Sequence, residues 1–306
     1  MLTFSQLLAL LAHEPVALWG DWMRAFAASG RCDDYQGFSP ALRSAVGDLT
    51  IEARVTPQTQ RAVAQRSGAI AVIPVQGIIT AKPTMWEPYG FTMSVQSLVA
   101  ATRAAVNDPE VKSVVWDMNT PGGSTSGVAE GHADLMALRG KKPITAQVNY
   151  MSASAGYWLA SAADEIASAP SAVTGSVGAY MMHMDVSKAM TDAGMQATFI
   201  HAGRDKVLGN EFEPLSDEGR SYYQGLVDNA YASFTADVAT GRNMSTDIVR
   251  GESFGMGRIL TADAAKRAGM IDVIRTMDQT LAAYGATTST GDRQRRALSL
   301  QLLELE

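Results

Sequence analysis

From about residue 69 to residue 274, short aliphatic and β-branched runs alternate with stretches of helical periodicity. That rhythm leaves few architectures open, because a strand–helix–strand order returns successive strands to one sheet through crossover helices. Ala69–Ile79 reads as a buried strand, with Pro74 limiting its ladder and Gly77 marking a bend or bulge. Ser94–Val106 follows as a helix with Ser94 as N-cap, and Val111–Met118 as a second strand ending in the abrupt turn Thr120-Pro121-Gly122-Gly123. Helix Gly127–Leu138, strand Pro143–Val148 and helix Ser154–Ala163 continue the alternation. Strands are expected at Glu165–Ser168, Val177–Met182 and Ala197–Ile200, with a helix at Val186–Ala193. A long amphipathic helix from Asp217 to about Thr240, a short one at Ala262–Ala268 and a strand at Met270–Ile274 close the series. The expected fold class is α/β, a layered domain with mostly parallel strands and crossover helices.

The flanks differ. Residues 1–28 carry Leu7, Leu8, Leu11, Trp19, Trp22, Met23 and Phe26 at roughly helical spacing and read as an N-terminal helical extension. Residues 29–67 lack a clear period. The expected division is an extension over 1–67, a main domain over 68–284, and a linker with a charged tail over 285–306.

Composition excludes several classes. Hydrophobic residues make up 46% and charged residues 18%, enough for a sizeable core. A net charge of −6 disfavours phosphate backbones, so nucleic acid is not an expected partner. The one cysteine, Cys32, permits no internal disulfide and no thiolate cage, and it reads as an inert thiol. No run of about 18 apolar residues occurs, and no basic residue precedes Leu7–Ala12, so neither a membrane span nor a secretory signal is expected. The chain reads as soluble and intracellular. No His/Cys/Asp cluster has ligand spacing, and no phosphate-binding loop occurs, so neither metal nor cofactor is expected.

Three segments bear chemistry. The Thr120–Ser124 turn places two glycines at a strand's carboxyl end, where backbone N–H groups can approach an anion. Ser152-Ala153-Ser154-Ala155-Gly156-Tyr157 sets a hydroxyl between a strand and a helix start, with small neighbours around it. A serine nucleophile needs a base. His13, His132, His183 and His201 stand in no triad setting, whereas Lys206, in a loop after a strand, could serve if buried. Each segment alone has an ordinary reading: a tight turn, a helix N-cap, a surface lysine.

In combination they are more specific. Asp117–Gly123, Met151–Ile166, Thr174-Gly175-Ser176-Val177-Gly178 and Gly203-Arg204-Asp205-Lys206 occur in one order. Over roughly Ala69 to Ile274 the chain resembles the signal peptide peptidase A family of Ser–Lys serine peptidases. Within that family it is similar to the capsid maturation proteases of lambda-like tailed phages. The resemblance implies a Clp protease/crotonase-like fold, with Ser154 as nucleophile, Lys206 as general base and Ser176 orienting the lysine. It implies Gly123 and Ala155 N–H groups as the oxyanion hole, although signal peptide peptidases usually have Gly where Ala155 stands. It further implies a homo-oligomeric ring in which Lys206 can reach a neighbour's serine, with action in cis or in trans left open. The expected substrate is polypeptide: scaffold protein, with capsid or portal protein as further candidates, cut in the host cytoplasm or inside the procapsid. Three other readings stay open: a bacterial signal-peptide-degrading peptidase, a crotonase-like acyl-CoA enzyme, and an inactive procapsid subunit.

Overall fold

The computed structural model describes residues 16–18 and 69–285. The readings for Cys32, for the tail beyond Gly285 and for most of the N-terminal extension lie outside those residues. Val16–Leu18, expected within a helix, form a strand, β1, because the backbone there pairs with the sheet instead of with itself.

The remaining strands are β2 (Ala69–Thr80), β3 (Thr92–Ser94), β4 (Val111–Ser124), β5 (Ile144–Ala153), β6 (Glu165–Ser168), β7 (Val173–Gly175), β8 (Ile259–Thr261) and β9 (Val273–Ile274). They build one sheet of order β3-β2-β4-β5-β6-β9, with β1 on β4, β7 on β5 and β8 on β7. Every pairing along the main path is parallel, and β1–β4 and β7–β8 are antiparallel. The helices are α1 (Val95–Asn107), α2 (Val128–Met136), α3 (Ala155–Ala160), α4 (Ser187–Asp192), α5 (Asp217–Arg242), α6 (Thr246–Arg250), α7 (Ala262–Arg267) and α8 (Met277–Ala283). The expected α/β class with mostly parallel strands is present.

Local rules account for most element ends. Ser94 caps α1 by accepting from Ser97 N–H, and Ser216 caps α5 by accepting from Gly219 N–H. Asp217 and Glu218 complement the N-terminal dipole of α5, and Asn243 ends it in the left-handed region. Gly77, at φ 76°, sits at a register shift between β2 and β4, the expected bulge. Pro74, by contrast, pairs within the ladder opposite Asp117. It is tolerated because β3 covers β2 only at Ile78–Thr80, so the edge beside Pro74 needs no N–H donor.

Other departures trace to pairing. Strand β4 does not stop at Met118 but runs through Pro121-Gly122-Gly123 to Ser124, because β2 and β1 flank it there. The strands expected at Val177–Met182 and Ala197–Ile200 are absent: the first holds a single bridge residue, Tyr180, and neither forms a ladder with a described strand. Helix α8, with a complete Thr276/Gln279 capping box, lies in a stretch where no helix was expected.

The core holds α3 rigidly against the sheet. Trp158 stacks on Phe234 of α5 at 4.5 Å between centroids and 6° between planes, and its Nε1 donates to Asp237 at 2.8 Å. The Tyr157 hydroxyl donates to Met270 carbonyl at 3.0 Å. Arg139 donates to the carbonyls of Ser161, Ala162, Ala163 and Gly241, satisfying the C-terminal groups that follow α3. Helix α3 is thus fixed on both flanks and at its far end, and its first turn faces the ends of β4 and β5.

Candidate active site

Parallel pairing delivers two serines to one place. Ala153 at the end of β5 pairs with Gly175 at the end of β7, and the next residues, Ser154 and Ser176, leave the ladder side by side. Both have positive φ, 56° and 55°, which side chains other than Gly rarely adopt. Ser154 also has ψ −126°, a sharp strand-to-helix turn of the nucleophile-elbow kind. Such a conformation costs about 1–3 kcal/mol and persists only where the surroundings enforce it. Here Ser154 N–H donates to Gly175 carbonyl at 2.7 Å, and Trp158 N–H donates to Ser154 carbonyl at 2.9 Å. Ser176 is fixed by its N–H donating to Arg258 carbonyl at 2.9 Å. Gly175, at φ 127°, has no room for a side chain: a Cβ there would lie 2.8 Å from Arg258 carbonyl oxygen.

Both serines are buried. Ser154 is 0% exposed and Ser176 6%. Among the described residues, Ser154 Oγ, Ser152 Oγ and Thr174 Oγ1 have no hydrogen-bond partner. Ser152 and Thr174 are ladder partners, so the unmet hydroxyls lie together. A buried hydroxyl left unpaired costs about 1–3 kcal/mol, which makes this a place prepared for a polar group from outside.

The two backbone positions singled out in the sequence lie at element ends. Ala155 opens α3, so its N–H has no acceptor within the helix. Gly123 lies near the end of β4, with its backbone pressed on Ile79: a Cβ would stand 2.0 Å from Ile79 carbonyl oxygen. Two residues that sequence reasoning missed support this arrangement. Thr120 Oγ1 donates to Gly77 carbonyl at 2.6 Å and accepts from Gly122 N–H at 3.1 Å, fixing the end of β4. Gly156 packs its α-carbon over Thr120, where a Cβ would meet Thr120 Cγ2 at 2.3 Å. Thr120 carried no signal of its own beyond its place before Pro-Gly-Gly.

Lys206 is elsewhere. It is exposed in a loop, its N–H donating to Gly203 carbonyl at 3.2 Å, beside the Arg204–Asp205 ion pair. No described side chain pairs with its amine, and no hydrogen bond joins it to Ser154 or Ser176 within the chain. The surrounding segment projects from the fold: Met184 and Met195 are exposed, and Ile200 is 97% exposed. So Ser154, Ser176 and Ala155 come together at the ends of β5 and β7, Gly123 lies near the end of β4, and Lys206 is exposed in a separate loop.

The model of peptidase family S49 matches residues 136–288, which include Ser154, Ser176 and Lys206. Capsid assembly protease C of Escherichia phage lambda is 30% identical over 246 residues, covering 78% of this chain and 56% of its own length. Head-tail preconnector protein GP5 of Enterobacteria phage P21 is 30% identical over 203 residues, covering 66% of this chain and 40% of its own length. Protease 4 of Salmonella typhi is 28% identical over 221 residues, covering 72% of this chain and 34% of its own length. The chain thus spans about half the length, or less, of these relatives. Among the described residues no helix is long and apolar enough to cross a membrane, and no cluster of His, Cys, Asp and Glu could hold a metal ion.

Proposed function

The chain belongs to peptidase family S49, and from that membership we propose that it is a serine endopeptidase of phage capsid assembly that degrades scaffold protein, with Ser154 as nucleophile and Lys206 as general base. The observation that carries the reading is the strained, buried elbow at Ser154, whose Oγ has no partner among the described residues. In the proposed reaction a neutral Lys206 amine takes the proton from Ser154 Oγ as that oxygen attacks a peptide carbonyl. The carbonyl oxygen gains the negative charge and accepts from Gly123 and Ala155 N–H groups. The lysine ammonium then passes its proton to the departing amine, leaving an ester on Ser154. Water, deprotonated by the same lysine, hydrolyses that ester and restores the serine. Ser176 orients the lysine amine.

A lysine acts as a base only where burial favours its neutral form. Lys206 is exposed in the single chain, while Ser154 is buried and unpaired in it. Both conditions are met if the projecting segment docks Lys206 into the site of a neighbouring copy, in a head-to-tail ring. The apolar side chains of Met184, Met195 and Ile200, exposed along the same segment, suit burial against that neighbour.

Mixing two inactive variants tests the assignment and the sharing together. Ser154→Ala and Lys206→Ala should each lower turnover of a scaffold-derived peptide by at least about 10³-fold. In a ring assembled randomly from equal amounts of both, half the sites have Ser154 and half of those meet a neighbour with Lys206. About a quarter of wild-type activity should therefore return on mixing. No return on mixing, with active wild type, means that serine and lysine act within one chain. Full activity in either single variant removes that residue from the mechanism. Hydrolysis of signal peptides but not of scaffold protein would shift the substrate to the alternative, a signal-peptide-degrading peptidase, the activity for which the relative signal peptide peptidase SppA of Enterococcus faecium is named.

A further inference from the structure

Strand β1 sits where a peptide would have to lie to reach Ser154. Residues Gly122 and Gly123 of β4 pair on one edge with Ile78 and Ile79 of β2. Those same residues pair with Leu18 and Ala17 of β1, so β1 occupies the opposite edge. That opposite edge belongs to β5 as far as Thr120, which pairs with Ser152. Beyond it β5 turns away through Ala153 into the Ser154 elbow. Strand β1 therefore continues the line that β5 vacates, directly beside the nucleophile's turn.

Its direction also matters. Val16 pairs with Ser124 and Leu18 with Gly122, antiparallel to β4. Leu18 is thus the residue nearest the end of β5, and the segment runs from amino to carboxyl end toward Ser154. A peptide whose residues preceding a scissile bond are to be held by main-chain hydrogen bonds needs this edge and this polarity. Gly123, proposed above as an oxyanion donor, is opposite Ala17.

We propose that Val16–Leu18 is an internal peptide ligand of the active site, seated on the β4 edge that a substrate strand takes, and that it must leave before a substrate in trans can bind. The proposal rests on the peptidase reading for its consequence, not for the seat itself. A segment tethered in the same chain presents itself at roughly millimolar effective concentration. Against a strand contact whose dissociation constant runs from about that concentration down to about a tenth of it, the edge would be about half to nine-tenths filled. Freeing it then raises kcat/KM about 2–10-fold, since only the open fraction binds substrate.

A cross-link decides it. In the 306-residue chain with Cys32→Ser, the pair Val16→Cys and Ser124→Cys stands directly opposite in the ladder. Opposite Cα atoms there lie about 4.5–5.5 Å apart, within the span of a disulfide, about 4.4–6.8 Å. Mild oxidation should form the bond within one chain, seen by gel and by mass, and should abolish hydrolysis of a scaffold-derived peptide until reductant restores it. The single Ser124→Cys protein should ignore both treatments. Separately, Ala17→Pro, which removes a strand donor, should raise kcat/KM by the stated factor. Failure of the thiols to pair, or pairing only between chains, overturns the seat. Pairing that leaves turnover unchanged overturns the blocking role. Should wild type show no turnover and no labelling of Ser154 by a fluorophosphonate, the peptidase reading fails, while the cross-link still reports on the seat.

Discussion

Replacing Gly123 with alanine should lower both stability and turnover through a single clash. The new methyl would lie 2.0 Å from the carbonyl oxygen of Ile79, 2.6 Å from its nitrogen and 2.7 Å from its carbonyl carbon. All three atoms are backbone of β2, so no side chain can rotate away. Reaching even 3.0 Å, below which real Cβ contacts essentially never fall, requires β4 and β2 to part by about 1 Å at the end of the ladder. Overpacking of this kind costs about 3 kcal/mol, the upper end of its usual range, because both strands lie in the sheet interior. For a domain of this size that lowers Tm by about 6–12 °C. The same displacement moves the Gly123 N–H away from the position proposed for the oxyanion, and a 1 Å misplacement costs about 10²-fold in rate. Calorimetry and kcat/KM on a scaffold-derived peptide measure the two effects, with Gly225→Ala as control. Gly225 lies within α5 with nothing within 4 Å of a new methyl, so its replacement should leave turnover unchanged and add about 0.5–1 kcal/mol. A Gly123→Ala protein melting within about 2 °C of wild type would refute the packing argument. One that loses its Tm but keeps full turnover would remove Gly123 from the oxyanion hole.

His132 gives the fold a pH dependence. It is buried with Nε2 3.1 Å from Ser161 Oγ, and its pKa is pushed down to about 4 by burial first and by the Arg139 guanidinium second. The unfolded chain binds this proton near the ordinary histidine value of about 6.5 and the folded chain only near 4. Stability contributed by this group is therefore whole above about pH 6.5, falls as pH drops toward 4 and levels off below, a loss of up to about 3 kcal/mol. His132→Gln should flatten the dependence of the denaturation midpoint on pH across that window; an unchanged slope would assign it to another group. Ser113 is buried in β4 with an unpaired Oγ. Ser113→Ala should therefore leave stability unchanged or raise it by up to about 1 kcal/mol in urea titration, and a loss larger than that would reveal a hidden partner.

Much of the molecule was legible in local sequence. The apolar runs at Ala69–Ile79 and Glu165–Ser168 became β2 and β6, because a buried parallel strand is a continuous aliphatic run with short-range boundaries. Helices α1 and α5 began where Ser94 and Ser216 provide caps, which are properties of three or four adjacent residues. The Gly77 bulge was readable for the same reason: a positive φ is a local demand. The candidate site was legible as motifs, in Ser154 with its small neighbours, Thr174-Gly175-Ser176 and Pro121-Gly122-Gly123.

Pairing and position were not legible, because they depend on residues far apart in the chain. Nothing local to Pro121-Gly122-Gly123 distinguishes a turn from the last residues of a strand; the flanking β2 and β1 backbones make it strand. Nothing local to Val177–Met182 or Ala197–Ile200 states that no ladder with a described strand forms there beyond the single bridge residue Tyr180, and without a ladder their backbone stays irregular. The Val16–Leu18 segment looked helical by spacing and became an edge strand through contacts with residues more than a hundred positions away. Sequence by itself determined which elements form and which residue types carry the chemistry, since propensity, capping and hydrophobic period are short-range. Only the tertiary structure decided that Ser154 and Ser176 emerge from neighbouring parallel strands, that Lys206 stands apart from them, and that β1 fills the open edge beside the elbow, because each is a relation between distant segments fixed by strand order.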